Sequence, residues 1–433
     1  MTHAPIGMLA VPDLSGIVRG KSFGTHRGDR VLREGLAWVP ANILISPFAA
    51  IPPDNPFGPM GEITLRAVEE MRVQLPAGPT TPAMDLYLAR ILDPSGAAWA
   101  ACPRAALEAA VADLAAETGL TMRVAFEHEF ILVGGPYGHD PSFSLAAIRR
   151  AGAIAVEIDE LLLAAGMEVE QVVPEFGGGQ YEIASTPKDP LRACDEAVLA
   201  REIIRDVARR AGIHATFVPK AKPTVPGNGI HVHFSLWDGD RPAMAADGWL
   251  TREGGAFAAG LLAHAEALLL FTTGSTNSFL RIRPHNWVGA YTCVGTRNRE
   301  AMVRFCPRSD AAAGPLAKAS LEFRVVDATA NVYLALAAII RAGLDGLRRG
   351  LAAPPDIQAD PAELPVAESA ARGVRTLPDS LAATIAAAVA DQALLAQFPP
   401  LLVEALLCVR RDDVRTGADL VPADLAARLA AVY

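Results

Sequence analysis

The feature that most constrains the fold is a set of short apolar runs in which polar residues stand two positions apart. In GNGIHVHFSLWD (227–238), His231 and His233 alternate with apolar residues. Successive side chains of a β-strand point to opposite faces of the sheet. If this stretch is a strand, both imidazoles lie on one face and the apolar residues on the other. A chain with several such strands needs a sheet with one apolar and one polar face.

Carboxylates repeat this pattern in three other segments. Such groups, placed among Phe, Ile, Leu and Val, need a partner or a metal when ionised. One acidic pair alone is usually a solvated face, but five carboxylates converging with a histidine would repel one another strongly unless cations lay among them. The acidic residues are Glu127 and Glu129 in AFEHEFIL, Glu175 and Glu182 around the glycine turn of EFGGGQYEIAS, and Glu322 in LEFRVVD.

The donor set indicates the kind of cation. Carboxylate oxygens with one imidazole suit magnesium or manganese better than zinc, which prefers thiolate and histidine. Two such ions are a recurrent solution for phosphoryl transfer. We therefore interpret the polar face as a site for two divalent cations that bridge a nucleotide phosphate.

Arginines cluster near the acidic segments although the chain is net acidic, with a formal charge of -9. Taken singly, each arginine is more often part of a surface ion pair. Taken together, they predict a site that binds carboxylate and phosphate groups. They are Arg281 and Arg283 in SFLRIRP, Arg299 and Arg304 in RNREAMVRF, and Arg324 beside the last glutamate.

The order of segments predicts an α+β fold. Residues 1–100 are rich in Pro and Gly with short apolar runs, which is typical of a small β-rich domain. From Pro103 onward, helical patterns alternate with strand-like runs that come in hairpins, so we expect a largely antiparallel sheet. We predict one helix near 255–271 and a strand at 278–283. A proline-rich segment at 354–365 precedes an alanine-rich helical tail.

Composition excludes several classes of function. A net charge of -9 argues against a nucleic-acid partner. The five cysteines are scattered and lack CxxC spacing, which suits a reducing cytoplasm and offers no disulfide framework. The most apolar helical run (332–340) stops at Arg341, short of the roughly 20 residues that span a bilayer. With no signal-peptide pattern at the N-terminus, we expect a soluble cytoplasmic protein without a membrane partner.

Six segments in order resemble motifs of the glutamine synthetase family. They are EHEF, PEFGGGQYE, GNGIHVHFSL, SFLRIRP, RNREAMVR and LEFRVVDATANVYLALAAIIRAGLDG, all within residues 102–350. DLSGIVRGKSF (13–23) and LPDSL (377–381) are similar to the N-terminal and C-terminal parts of the glutamine-synthetase-like branch. Any one motif is weak evidence, whereas six in order are very specific.

The resemblance implies a fold and an activity. It implies a small N-terminal β-grasp domain (1–101) and a catalytic domain (102–433) with a curved antiparallel sheet, a core at 102–350 and a C-terminal helical part at 366–433. It also implies an ATP-dependent carbon–nitrogen ligase that joins glutamate to an amine through a γ-glutamyl phosphate. The expected assembly is a homo-oligomer of stacked rings, a dodecamer, whose active sites are shared between neighbours.

The resemblance also assigns roles to individual residues. Each site is expected to bind ATP and two or more Mg²⁺ or Mn²⁺ ions. Glu129, Glu175 and Glu182 are expected to hold one ion, and Glu127, His231 and Glu322 the other. His233 and Ser235 match nucleotide-contacting positions, Arg299 and Arg304 match the phosphate-facing catalytic pair, and Arg281 (also catalytic), Arg324 and Gly227 match the residues around glutamate.

Trp287 departs from the family pattern. True glutamine synthetases carry an acidic residue a few positions after the arginine and proline matched here by Arg281 and Pro284, and it helps bind ammonium and take its proton. An indole cannot accept that proton. It can pack on the carbon skeleton of an organic amine or face an ammonium group. We therefore expect Trp287 to contact an amine larger than ammonia, and the alternative is an ordinary packed tryptophan.

The residues leave several alternatives open. A polyamine, ethanolamine, a short alkylamine and an aromatic amine all remain possible substrates. The nearest competing hypothesis is a glutamine synthetase that uses ammonia, and another is a catalytically silent family member with an assembly or sensor role. A cupin-like metal site at His231 and His233 would leave the glutamates unexplained.

Overall fold

The computed structural model describes residues 4–138, 140–308, 316 and 318–433. Its N-terminal part is a five-stranded sheet in the order β2-β1-β5-β4-β3. Strands β1 and β5 are parallel, and the other neighbours are antiparallel. The elements are β1 (Ile6–Pro12), β2 (Val18–Gly24), α1 (Gly28–Glu34), β3 (Leu36–Trp38), β4 (Ile63–Leu75) and β5 (Met84–Leu92).

A second, larger sheet and most of the helices follow. The first half contains α2 (Pro103–Thr118), β6 (Thr121–Val133), α3 (Leu145–Ala164), β7 (Val169–Pro174), β8 (Gln180–Ser185), α4 (Pro190–Arg210), β9 (His214–Thr216), β10 (Ile230–Asp238), β11 (Arg241–Pro242), β12 (Ala245–Ala246) and β13 (Trp249–Leu250). The second half contains α5 (Arg252–Ala263), α6 (Ala265–Thr272), α7 (Ser278–Arg281), β14 (Tyr291–Thr296), β15 (Ala301–Cys306), β16 (Ser320–Phe323), α8 (Val332–Arg349), α9 (Val366–Ala371), α10 (Leu381–Ala390), α11 (Gln392–Leu395), α12 (Pro400–Ala418) and α13 (Pro422–Ala430).

The larger sheet runs in the order β14-β15-β16-β10-β6-β8-β7, with β11 beside β10 and β9 beside β6. Its pairs are antiparallel except for β14 and β15, which are parallel. Helix α8 is buried along most of its length and contacts α2, α4, α5 and α6. The apolar residues of the central strands, such as Val232 and Phe234, are completely buried. The opposite face of the same strands is left for polar residues.

Capping residues fix several helix starts as the sequence predicts. Helix α2 begins at Pro103 and ends against Gly119, which adopts the left-handed conformation that glycine permits. The Asp189 side chain accepts a hydrogen bond from the backbone of Arg192 at the start of α4. Asn331 caps α8 in the same way.

Two local predictions were wrong. The segment predicted as a strand at 278–283 forms the short helix α7, because Phe279 and Ile282 are buried at helical i, i+3 spacing while Arg281 is buried between them. The single helix predicted near 255–271 is two helices that meet at an angle of 79°. The break lies at His264, whose ring contacts Asp345 and Asp391.

The predicted fold class, an α+β protein with a small N-terminal sheet and a larger catalytic part, is confirmed. The domain boundary after residue 101 stays a prediction. Within the described ranges, no single helix has both the length and the apolar character needed to cross a membrane. Helices α5 and α6 pass that test only when taken together, across their sharp bend.

Candidate active site

Strand register aligns the polar residues in a diagonal across five neighbouring strands. Strands β6 and β10 each contribute two residues that stand two positions apart, so both lie on one face of the sheet, and the other strands place one residue opposite them. A step of two residues along one strand then leads to the next facing pair. The facing pairs are Arg304 with Glu322, Glu322 with His233, His231 with Glu127, and Glu129 with Glu182.

One group of possible metal ligands lies where β6, β10 and β16 meet. Glu127, His231 and Glu322 offer ligand atoms that all lie within 4.8 Å of one another. The Nδ1 atom of His231 is 3.3 Å from Glu127 Oε2 and 3.6 Å from Glu322 Oε1. These are the three residues that the resemblance assigns to one cation, and the structure brings them together.

A second group shares His231 with the first. Glu129, Glu182 and His231 also have ligand atoms within 4.8 Å of one another. The third expected ligand, Glu175, belongs to neither group among the described residues, and its Oε2 accepts a hydrogen bond from the backbone of Phe176 at 3.1 Å. Burial and then the charge of Glu129 raise the pKa of Glu175, so it stands close to the cluster.

The cluster holds more negative charge than its buried position favours. Burial and then the charges of Glu127, Glu129 and Glu175 raise the pKa of Glu182 to about 9. Like charges in a poorly solvated place disfavour ionisation in this way. A bound cation would remove that penalty, since it would neutralise several carboxylates together.

Positive groups stabilise the other end of the diagonal. Burial opposes the charge of Glu127, but hydrogen bonds from His231 and His233 outweigh it and lower its pKa below the usual range. Burial also opposes the charge of Glu322, yet Arg324 and the two imidazoles lower its pKa to about 2. This end is therefore ionised at neutral pH, as a metal-binding carboxylate must be.

The residues present fit divalent cations. The donors are carboxylate oxygens and one imidazole nitrogen, which are ligands that Mg²⁺ and Mn²⁺ accept. The two overlapping ligand groups meet at His231, which is 5% exposed. The negative charges that raise the pKa of Glu182 are those that a bound cation would offset. Two adjacent cation positions on this face are consistent with all three observations.

Three arginines border the carboxylates, and each has one buried nitrogen without a hydrogen-bond partner among the described residues. Arg281 is 1% exposed and donates from Nη2 to the backbone oxygen of Arg324 at 3.0 Å. Arg324 donates to Glu322 and, at 2.7 Å, to the backbone oxygen of Trp287. Arg304 donates to Glu322 at 2.6 Å. Among the described residues, Arg281 Nη1, Arg304 Nε and Arg324 Nε are buried without a hydrogen-bond partner, which suits an anionic ligand.

Glycines allow the segment just before β10 to pack closely against Arg281. A Cβ atom on Gly227 would lie 2.9 Å from Arg281 Cγ and 2.5 Å from Pro219 O, and one on Gly229 would overlap the Arg281 guanidinium. Gln180 donates at 2.9 Å to both the Gly227 backbone oxygen and Asn228 Oδ1, which fixes this turn. The predicted site residue Gly227 therefore lies against the predicted glutamate-binding arginine.

The remaining predicted residues lie around the cluster. His233 Nε2 is 3.1 Å from Glu127 Oε1, and its Nδ1 is 3.4 Å from Ser320 Oγ. Ser235 lies farther along the same face of β10 and accepts a hydrogen bond from Trp237 Nε1 at 2.9 Å. Arg299 is exposed beyond β14, and its charge partly offsets the burial and carboxylate repulsion that raise the pKa of Glu175.

Trp287 lies on a loop that a buried carboxylate holds in place. Glu300 is 7% exposed and accepts hydrogen bonds from the backbone of Trp287 at 2.8 Å and of His285 at 3.2 Å. Both His285 and Trp287 have positive φ angles, 62° and 56°. The Trp287 side chain is 57% exposed, so it is not an ordinary packed tryptophan in this chain.

Sequence reasoning missed several residues here. Glu300 follows Arg299 directly in the RNRE motif, but spacing does not show that its carboxylate turns back to another loop. Phe176 follows Glu175 in PEFGGGQYE, and its ring contacts Trp287. Cys306 Sγ lies 3.8 Å from Glu322 Oε2, where strand alternation after Arg304 could have placed it.

Comparisons with known proteins identify the family of this chain. Residues 4–99 match the family model for the glutamine synthetase N-terminal domain, and residues 100–423 match the model for the glutamine synthetase catalytic domain. A protein named gamma-glutamylpolyamine synthetase GlnA3 from Streptomyces coelicolor is 34% identical over 417 residues, which cover 93% of this chain and 88% of that protein.

Two further relatives extend the comparison. The glutamine synthetase of Frankia alni is 36% identical over 290 residues, which cover 64% of this chain and 60% of that protein. A crystal structure described as a novel glutamine synthase homolog is 35% identical, has a TM-score of 0.89, and is matched over 100% of this chain and 99% of its own. Family members use ATP and divalent metals. The chain belongs to the glutamine synthetase family and is an ATP-dependent ligase.

Proposed function

We propose that this protein joins the γ-carboxylate of glutamate to an organic amine, with ATP as the energy source and γ-glutamyl phosphate as the intermediate. The observation that carries the proposal is the diagonal of carboxylates, imidazoles and arginines on one sheet face, bordered by a loop that presents Trp287. The printed name of the Streptomyces coelicolor relative, a gamma-glutamylpolyamine synthetase, supports an amine larger than ammonia.

The metal ligands come from the two overlapping groups. Glu127, His231 and Glu322 would hold one Mg²⁺ or Mn²⁺ ion, and Glu129 and Glu182, with Glu175 or His231, the other. When bound, such ions offset the negative charge of nucleotide phosphates during phosphoryl transfer.

The buried arginines serve the acyl donor. Among the described residues, Arg281 and Arg324 each have a buried N–H group without a hydrogen-bond partner, and Arg281 packs against the glycine turn at Gly227. A guanidinium pairs well with a carboxylate because its N–H groups match the two oxygens. These residues would orient glutamate with its γ-carboxylate toward the metal-binding end of the diagonal.

Activation of glutamate is the first step. A γ-carboxylate oxygen attacks the terminal phosphorus of ATP, the bond to the leaving ADP oxygen breaks, and an acyl phosphate forms. Arg304 and Arg299 would face the transferred phosphoryl group, and His233 and Ser235 the nucleotide side. Placed charges and hydrogen-bond donors stabilise the charge that develops in such a transfer.

Amide formation is the second step. The amine nitrogen attacks the carbonyl carbon of the acyl phosphate, the carbon–oxygen bond to phosphate breaks, and the proton that the nitrogen loses passes to the released phosphate. Both carboxylate oxygens of Glu300, the acidic residue bound to the Trp287 loop, are occupied by backbone N–H groups. Since the loop offers an indole in place of a free carboxylate, it favours an organic amine over ammonium.

Assembly and location complete the proposal. Oligomers are typical of the family, and we propose a homo-oligomer of stacked rings, a dodecamer, with sites shared between neighbours. All five cysteines are buried and free, which suits the reducing cytoplasm. Neither nucleic acid nor membrane enters the proposal.

A panel of amines tests the proposed reaction. Purified protein is given glutamate, MgATP and, in turn, ammonium, ethanolamine, alkylamines, polyamines or an aromatic amine. Released phosphate is measured and the γ-glutamyl product is identified by mass. We expect release that requires glutamate and is faster with an organic amine than with ammonium. A preference for ammonium would identify a glutamine synthetase, and absence of turnover together with absence of ATP and Mn²⁺ binding would identify a silent family member.

A further inference from the structure

Three aromatic side chains form a continuous exposed row beside the candidate active site. Phe143, Phe176 and Trp287 are 54%, 61% and 57% exposed. The ring centroids of Phe176 and Trp287 are 6.0 Å apart, and those of Phe143 and Phe176 are 5.7 Å apart, both with edge-to-face geometry. Large aromatic side chains usually bury their surface, so a contiguous exposed group indicates a binding surface.

The row begins at the carboxylate cluster. Phe176 directly follows Glu175, and its backbone N–H donates to that carboxylate. At the same end, the backbone oxygen of Trp287 accepts a hydrogen bond from Arg324, which also contacts Glu322. Phe143 is the end of the row away from Trp287, since its ring contacts Phe176 and, among the described ring contacts, not Trp287. The row therefore leads outward from the groups proposed to bind metal and glutamate.

Hydrogen bonds fix the backbone at each member of the row. The Phe143 N–H donates to Pro174 O at 3.2 Å, and Ser142 Oγ donates to Phe176 O at 3.1 Å. The backbone N–H of Trp287 donates to the Glu300 carboxylate at 2.8 Å. Phe143 and Trp287 both have φ of 56°, a conformation that is unfavourable for bulky residues and persists only where the surroundings impose it.

We propose that this aromatic row binds the chain of the amine substrate, and that the substrate class is a primary amine on an extended carbon chain that reaches beyond Trp287 to Phe176 and Phe143. The inference rests on the proposed ligase function and deepens it. Methylene groups of the chain lie on the ring surfaces, while a second ammonium group, where the amine has one, lies against a ring face. Long alkylamines and polyamines share this chemistry.

Chain length should control catalytic efficiency. Ammonium has no methylene and ethanolamine has two, whereas longer amines can bury additional methylenes along the row. Burial of one methylene corresponds to a factor of about two to four in binding, depending on how fully it is covered. We expect kcat/KM for the amine to rise by that factor with each added methylene until the row is filled.

The experiment measures kcat/KM for unbranched primary monoamines and matching diamines of increasing length. It compares the unchanged protein with Phe143→Ala, Phe143→Leu and Phe176→Ala. Leu163→Ala is the matched control, because Leu163 is 63% exposed on α3 outside the row. We expect the alanine variants to reduce the ratio of long-amine to short-amine efficiency about tenfold, Phe143→Leu to reduce it less, and the control to leave it unchanged. Thermal unfolding and light scattering establish that each variant is folded and assembled.

The outcomes are distinguishable. If kcat/KM rises with chain length equally for monoamines and diamines, the row binds the methylene groups. If it rises more steeply for diamines, the rings also contact the second ammonium group. Either result supports the proposal. Equal losses for short and long amines, or no loss, would overturn it. Variants that change the assembly mass but keep the length dependence would show that a second copy of the chain covers the row. Failure of the proposed function has a different signature, since the unchanged protein would then turn over no amine with glutamate.

Discussion

The metal-binding face and the Trp287 loop are built in opposite ways. On the sheet, Glu127, His231 and Glu322 are placed by strand register and are largely screened from water. On the loop, Trp287 is exposed and is held by hydrogen bonds from its own backbone. Rigid strands suit groups that must keep charges in fixed positions, and loops suit groups that vary the choice of ligand.

This difference separates two kinds of effect. Substitutions on the sheet face should reduce turnover with every amine, because they affect activation of glutamate. Substitutions on the loop should change which amine is used, because they affect only the second step.

The largest effect is expected for His231→Ala, because His231 belongs to both candidate metal groups. Turnover should fall more than tenfold with every amine, which is more than about 1.4 kcal/mol in the activation barrier. Phosphate release with a saturating amine measures it. Glu129→Ala should behave in the same way.

Glu170→Gln provides the control for the sheet face. Glu170 lies on β7 and pairs with Arg308 at the surface, so its substitution should leave the rate within about a factor of two, because surface ion pairs contribute little. More than a tenth of the rate remaining in His231→Ala would refute its role as a metal ligand.

Trp287→Glu should alter selectivity more than rate. A carboxylate at this position can attract ammonium and accept its proton, so the ratio of ammonium to organic-amine efficiency should rise about tenfold, corresponding to about 1.4 kcal/mol. Competition between the two amines, with both products measured by mass, gives the ratio directly. An unchanged amine profile would mean that Trp287 does not contact the amine.

Glu300→Gln should weaken the loop while leaving the residues of the sheet face unchanged. A glutamine has one acceptor oxygen, so one of the backbone N–H groups of His285 and Trp287 loses its partner. A hydrogen bond to a charged group contributes about 1.5 to 3 kcal/mol, and water can replace part of it. We expect the amine KM to rise about fivefold and the glutamate KM to rise less, because Arg324 contacts the Trp287 backbone but is also held by Glu322. An equal rise in both would contradict the separation.

The smallest effect is expected for Glu182→Gln, measured by thermal unfolding. Binding of Mn²⁺ at 100 times its dissociation constant stabilises a protein by about 2.7 kcal/mol, which should raise Tm by a few degrees. Glu182→Gln should raise the Tm of the metal-free protein, because it removes a carboxyl group whose charge is disfavoured by burial and by its neighbours. It should also reduce the gain on adding Mn²⁺, and an undiminished gain would place the metal elsewhere.

Much of the sheet face could be predicted from the sequence. Alternation alone puts His231 and His233, or Glu127 and Glu129, on one side of a strand, and each of these expectations agrees with the structure. Alternation does not give the register between strands. For that reason the sequence could not show that His231 lies between two groups of carboxylates, or that Glu175 lies just outside both.

The loop side was much less predictable. Glu300 and Trp287 are 13 residues apart, and Ser142 and Phe176 are 34 apart, so their contacts depend on how distant segments pack. The alternating pattern of SFLRIR also predicted a strand, whereas this segment forms helix α7. The positive φ of Phe143 could not be predicted either, because a residue other than glycine gives no sign of this conformation in the sequence.

A calorimetric titration of Mn²⁺ into the protein, with a non-hydrolysable ATP analogue present, counts the cations that the sheet face binds. We expect two ions per chain in the unchanged protein, with one lost in Glu182→Gln and both weakened in His231→Ala. Absence of Mn²⁺ binding, or a stoichiometry that neither substitution alters, would contradict the proposed pair of metal sites.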